Sequence, residues 1–146
     1  MEYSIRDMRE ADRDAVLVMM RAFYHSPAVL SNGSEEIFAA DVEACLSAGP
    51  YLAGYVFEGA DGALIGYAMV ARSFSTEFGK PCLWIEDLYL REGFRGRGAG
   101  SAFLRFIECR HPGALLRLEA ERENERAIGV YRRGGFSELP YPELIK

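Results

Sequence analysis

Apolar residues recur along this chain with two different periods, and the switch between them marks out its elements. Val16, Met19, Met20 and Phe23 follow i, i+3, i+4, i+7 spacing, which predicts an amphipathic helix from about Glu10 to Tyr24. Ser4–Asp7 ahead of it reads as a short opening strand. Ser26-Pro27 and Ser31-Asn32-Gly33 break the helical pattern. Ser34 is then placed to cap a second helix, with Glu35 and Glu36 in the first turn, where the helix dipole favours acids. That helix runs to about Ser47 and stops at Gly49-Pro50.

The period then falls to two. Tyr51–Glu58 and Ala63–Ser73 are β-rich runs joined by Gly59-Ala60-Asp61-Gly62, a hairpin signature. Pro81–Leu90 is a third run, and a glycine-rich turn from Gly93 to Gly100 leads from it into a helical stripe at Ala102, Phe103, Phe106 and Ile107. Leu115–Glu121 reads as a strand, Asn124–Arg133 as a helix and Phe136–Leu139 as a short final strand. The predicted order is β-α-α-β-β-β-α-β-α-β, an α+β fold with a mixed central sheet flanked by helices. No repeat, low-complexity segment or linker divides the chain, so residues 1–146 are expected to form a single domain.

Composition narrows the function classes. At 146 residues and 49% hydrophobic, the chain can bury a core without staples. No run of eighteen apolar residues occurs, so neither a membrane span nor a membrane partner is expected. The charged opening MEYSIRDMREADRD argues against a secretory signal, and Cys45, Cys82 and Cys109 lie far apart with no CxxC. Reduced thiols in the cytoplasm are the expectation. His25 and His111 are not at ligand spacing, so no metal is expected.

The net charge of −5 is unevenly spread. Residues 1–80 carry 12 acids against 6 bases, and residues 81–146 carry 10 against 11. Such a division suits a cation on the first half and an anion on the second. The arginines of the second half are interleaved with Glu119, Glu121, Glu123 and Glu125, which argues against a nucleic-acid partner.

The glycine-rich turn carries the sharpest chemistry. Closely spaced glycines let a backbone approach a ligand and aim successive N–H groups at it. The helix beginning near Ala99 adds unpaired donors and a positive dipole end, and Arg95 and Arg97 add full charge. A phosphate or pyrophosphate fits this arrangement. Neither phosphate-loop pattern matches: Ala99-Gly100 stands where a P-loop needs Lys-Ser/Thr, and Ser101 where a dinucleotide fingerprint needs its third glycine. What does fit is R-x-x-G-x-G, at Arg95, Gly98 and Gly100, after the strand Ile85-Glu86-Asp87-Leu88-Tyr89-Leu90.

With this motif, and with Asn124 to Phe136 reading NERAIGVYRRGGF about thirty residues later, the chain resembles the GNAT superfamily of acetyl-CoA-dependent N-acetyltransferases. The text GKPCLWIEDLYL, RGRGAGS and NERAIGVYRRGGF is most similar to the spermidine/spermine (diamine) branch, with a weaker match before residue 60. The resemblance implies acetyl-CoA as co-substrate and a small-molecule amine acceptor, and it extends to a homodimer, to which the Phe74–Phe78 loop would contribute. It implies cofactor contacts from Leu88, Tyr89 and Leu90 on the strand and from Arg95, Gly96, Arg97 and Gly98 on the loop. Ala99, Gly100 and Ser101 on the helix and Asn124 at the pantetheine arm complete the set.

Acetyl transfer to an amine needs a base and an acid. At pH 7, removing the proton of an alkylammonium costs about 4.6 kcal/mol, and protonation help for a leaving thiolate is worth about 2 kcal/mol. Glu86, a carboxylate in an otherwise apolar strand, is the candidate base, directly or through water. In a regular strand Glu86 and Asp87 point to opposite faces, which leaves Asp87 a structural role. Tyr131 is the candidate acid, as the matching family Tyr implies, and the backbone N–H of Leu88 or Tyr89 would polarise the carbonyl. Candidate acceptor contacts are Glu35, Glu36, Asp41 and Glu43, with Tyr24 and Phe38. Diamines and polyamines, an aminoglycoside, an amino acid and a protein lysine all remain open as acceptors, as does a CoA-binding regulatory module without turnover.

Overall fold

The two periods become two kinds of layer. In the computed structural model, which describes residues 2–146, five strands make one sheet in the order β1-β2-β3-β4-β5. These are β1 (Tyr3–Asp7), β2 (Leu52–Gly59), β3 (Leu64–Ser75), β4 (Lys80–Leu90) and β5 (Leu115–Leu118). The first four pair antiparallel, and β5 returns parallel to β4. Helices α1 (Arg13–Tyr24) and α2 (Glu35–Leu46) cover one face, α3 (Ala99–Arg110) and α4 (Glu125–Arg133) the other. No helix among the described residues is long and apolar enough to cross a membrane.

Alternation along the strands sorts the core. Val56, Tyr67, Met69 and Tyr89 meet Val16, Met20, Phe38 and Val42 on the α1–α2 side. Phe57, Ala68, Val70 and Ile85 meet Phe103, Leu104 and Ile107 on the α3 side. Each fully buried side chain of this size contributes about 1.5–3 kcal/mol. The expected caps form: Ser34 Oγ accepts from the Ile37 N–H at 3.2 Å, and Asn124 Oδ1 from the Ala127 N–H at 3.3 Å.

The structure departs from the sequence pattern at four places. Glu10–Asp12 is a 3-10 turn rather than the start of α1, because the Asp12 carboxylate folds back to accept the Arg9 N–H at 2.7 Å. Strand β5 stops at Leu118 instead of reaching Glu121. Phe136–Leu139 forms no strand: Pro140 and Pro142 follow at once and have no N–H to offer a ladder. Finally, β4 is not regular. Asp87 lies opposite Met69 and Ile85 opposite Val70, which leaves Glu86 as the extra residue of a bulge. Before it, Leu83 and Ile85 face α3; after it, Leu88 and Leu90 do, while Asp87 and Tyr89 turn toward α1 and α2.

Candidate active site

The bulge sits where β4 and β5 part. Their pairing covers only Cys82–Ile85 against Leu115–Leu118, so from Glu86 onward β4 has β3 alone as a neighbour and its other edge opens into a notch. The Arg91 N–H donates to the Ile65 carbonyl on the β3 side at 2.9 Å. By alternation Tyr89 also directs its peptide groups at β3, whereas Leu88 and Leu90 direct theirs into the notch. Of the two predicted carbonyl-polarising donors, the Leu88 N–H is the one that faces open space. Tyr89 instead offers its ring, with the Arg95 guanidinium 5.4 Å from the ring centroid.

The loop after β4 has the backbone its glycines allow. Gly96 and Gly98 adopt φ of +71° and +83°, a region costly to residues with a Cβ. Gly98 is the N-cap of α3 and brings no side-chain acceptor. The first bond there is Ala102 N–H to Gly98 O at 2.9 Å, so the N–H groups of Ala99, Gly100 and Ser101 precede the helical ladder. Arg95 Nε donates to the Leu90 carbonyl at 2.8 Å and ties the loop to the end of β4, while Arg97 is exposed. A Cβ on Gly96 would collide with the guanidinium of Arg126 from the first turn of α4. Arg126 is a third cation at the loop that the motif did not reveal; its one signal is its place two residues after the Asn124 cap. Free donors, a dipole end and three arginines fit a diphosphate.

Glu86 and Tyr131, distant in sequence, line one cavity of about 90 Å³ together with Ile85, Leu88 and Asn124. A wider groove of about 1380 Å³ also reaches Glu86 and Tyr131, along Trp84, Arg117 and Glu143. Burial raises the proton affinity of Tyr131. Burial also pushes the Glu86 carboxyl up, and the charges of Asp87 and Glu143 add to it. Asp41 of α2 is pushed up to about 6 by burial and by Asp87 and Glu86. Glu119, just past β5, is raised by burial, Glu143 and Glu86. Asp87 is buried, accepting Tyr24 Oη–H at 2.9 Å and Tyr67 Oη–H at 2.8 Å.

The candidate acceptor residues therefore divide. Asp41 reaches the acidic cluster, and Tyr24 touches it through Asp87. Glu35 is paired with Arg21 at 2.6 Å and Glu43 with Arg13 at 2.8 Å, Glu36 is exposed, and Phe38 is a core residue. Glu119 and Glu143 belong to the site without having been candidate contacts, because neither an acid just past a short strand nor one beside Pro142 in the C-terminal segment carries a motif.

Known proteins match this architecture. The model of the acetyltransferase (GNAT) family matches residues 18–136. A streptothricin acetyltransferase of Streptomyces lavendulae is 40% identical over 87 residues, which span 57% of this chain and 43% of that protein. The chain thus covers less than half the length of this curated relative. A possible acetyltransferase of Clostridium difficile 630 shares the fold with a TM-score of 0.82 at 19% identity, over 100% of this chain and 97% of the other. The aminoglycoside acetyltransferase AAC(6')-Iy, solved with the bisubstrate analogue CoA-S-monomethyl-acetylneamine, does so with a TM-score of 0.78 at 19% identity, over 100% and 98%. With the notch, the glycine-rich loop and α4 all inside the matched residues, the chain belongs to the acetyltransferase (GNAT) family.

Proposed function

We propose that this chain is an acetyl-CoA-dependent N-acetyltransferase whose acceptor is the primary amine of a small cationic molecule. The observation that carries the reading is the meeting of Glu86 and Tyr131 at one cavity in the notch that also holds Leu88, one strand-end away from the glycine-rich loop.

When bound, acetyl-CoA supplies the acetyl group as a thioester. The N–H groups of Ala99, Gly100 and Ser101, with Arg95, Arg97 and Arg126, hold its diphosphate, and Asn124 borders the pantetheine arm. The Leu88 N–H stabilises charge on the acetyl oxygen. Glu86 takes a proton from the ammonium, directly or through water; its raised proton affinity brings it closer to the amine it must deprotonate. Tyr131, kept protonated by burial, hands its proton to the departing sulfur. The N–C bond forms as the C–S bond breaks, and the second proton of the attacking nitrogen restores the Tyr131 hydroxyl, directly or through water.

Beyond burial, Asp87 and Glu86 push Asp41 up, Asp87 and Glu143 push Glu86 up, and Glu143 and Glu86 push Glu119 up, and a cationic acceptor relieves that repulsion. A diamine or polyamine suits this cluster, and the relatives named for streptothricin and for an aminoglycoside put those compounds on the same panel. A cytoplasmic enzyme, assembled as a homodimer, is the setting this reading carries. The test is acetyl-CoA turnover with thiol detection against spermidine, streptothricin, an aminoglycoside, lysine and a peptide. Thiol release with the small amines is expected, and Glu86→Gln should lose most rate at low pH. Turnover on the peptide alone would replace the acceptor class; acetyl-CoA binding without any thiol release would make the protein a non-catalytic module.

A further inference from the structure

Asp87 receives more hydrogen bonds than any neighbouring acid of the notch, and the mechanism above leaves it without a task. It is 4% exposed and lies beside the rings of Tyr24 and Tyr67, whose hydroxyls come from two different elements and occupy one carboxylate oxygen each. No lysine or arginine pairs with it among the described residues. A buried acid without a counter-ion costs stability that an apolar side chain of similar size would not. It stands directly after the one residue of β4 that has no partner on β3, and the bulge puts it opposite Met69, on the α1–α2 side.

We propose that Asp87 is a positioning residue for Glu86: clamped between Tyr24 and Tyr67, it pins the bulge that turns Glu86 into the notch and holds its own carboxylate beside it. This rests on Glu86 being the base. The groups that face Glu86 are Asp87 on its own strand, Asp41 of α2, Tyr24 of α1, Glu119 beyond β5, Glu143 of the C-terminal segment and Tyr131 of α4. Burial raises its proton affinity first and Asp87 comes next, ahead of Glu143. Removing the Asp87 charge therefore lets Glu86 stay deprotonated to lower pH and makes it a weaker base.

Asp87→Asn keeps the size of the side chain and a carbonyl for one tyrosine, and removes the charge. The acidic limb of the kcat/KM profile is expected to move toward acid by about half a pH unit or more, with a lower plateau. In the Glu86→Gln background the same substitution should change the residual rate by less than about twofold, since no base is left to tune. A limb that stays in place in a variant melting like wild type overturns the proposal, as do penalties that multiply in the double variant. Should Asp87→Asn fail to fold, Tyr24→Phe releases one of the two bonds: penalties that do not multiply with Glu86→Gln support the role, and penalties that multiply overturn it. A Glu86→Gln enzyme with the wild-type pH profile defeats the base assignment itself, whatever Asp87→Asn does.

Discussion

In the proposed mechanism Tyr131 and Glu86 divide the proton work through their surroundings. Burial favours the protonated form of both, which suits Tyr131 as a donor at any physiological pH and leaves Glu86 an acceptor above its raised titration point. Because a thiolate at pH 7 needs only about 2 kcal/mol of protonation help, Tyr131→Phe should lower kcat about 30-fold and leave acetyl-CoA affinity within about twofold. An unchanged kcat from pH 6 to 9 would remove Tyr131 from the mechanism. At this scale the sequence was legible where side chains sit inside a patterned stretch: Glu86 before the loop, Arg95 within it, Asn124 as a cap. Arg126, Glu119 and Glu143 were not separable from ordinary surface charges, nor Asp41 from its fellow candidates Glu35, Glu36 and Glu43, since only the fold decides which of them meet.

Elements explain why the loop needs glycine at Gly96 and Gly98 and tolerates another residue at Gly93. Gly98 holds φ of +83°, and an added Cβ would meet nothing within 4 Å. Gly98→Ala should therefore act through backbone strain alone, about 1–2 kcal/mol, and misalign the first turn of α3. KM for acetyl-CoA should rise while kcat is largely kept, whereas Gly93→Ala, also free of contacts and without a positive φ, should change neither. Equal KM values in the two variants would refute this use of the turn. Helix limits and the hairpin could be read to within a few residues because caps and turn residues punctuate them. The bulge in β4 could not: both faces of that strand are apolar, so an extra residue leaves no break in its pattern. Phe136–Leu139 has apolar ends but forms no strand, because Pro140 and Pro142 beyond it have no N–H to offer a ladder.

On the scale of the whole molecule, the charge division of the sequence is only half of the picture. The acidic end of the notch draws on both halves of the chain, on Asp41 and equally on Glu86, Glu119 and Glu143. Elsewhere Arg6 braces the fold, binding Asp12 at 2.8 and 3.0 Å and Glu58 at 2.7 and 3.1 Å. Burial pushes Asp12 up, but Arg6 and the Arg9 N–H outweigh it, so its carboxyl sits below the usual range. The two sets act oppositely on stability. The raised acids bind more protons in the folded than in the unfolded state between about pH 4 and 6, so stability falls as pH rises through that window. Asp12 contributes above its unfolded value of about 3.9 and loses its contribution as the pH drops below that. Tm should therefore be higher near pH 5 than at pH 7.5, fall again below about pH 4, and vary less between 5 and 7.5 in Asp41→Asn. A Tm that rises steadily from pH 5 to 7.5 would refute it. With Glu86 as the proposed base, activity should move the other way, so the protein should be hardiest at a pH where it turns over slowly.

A strand counts in twos, and the added residue at Glu86 moves the count of β4 by one. Cys82–Ile85 and Asp87–Leu90 keep opposite beats on a single strand. Deleting Glu86 would put them back in step with every face kept, since Asp87 would then follow Ile85 directly, still opposite Met69 and still turned toward the tyrosines, with Leu88 still toward α3. The extra residue thus serves Glu86 alone: it gives β4 one more carboxylate at the notch without moving any other side chain of the strand to the wrong face.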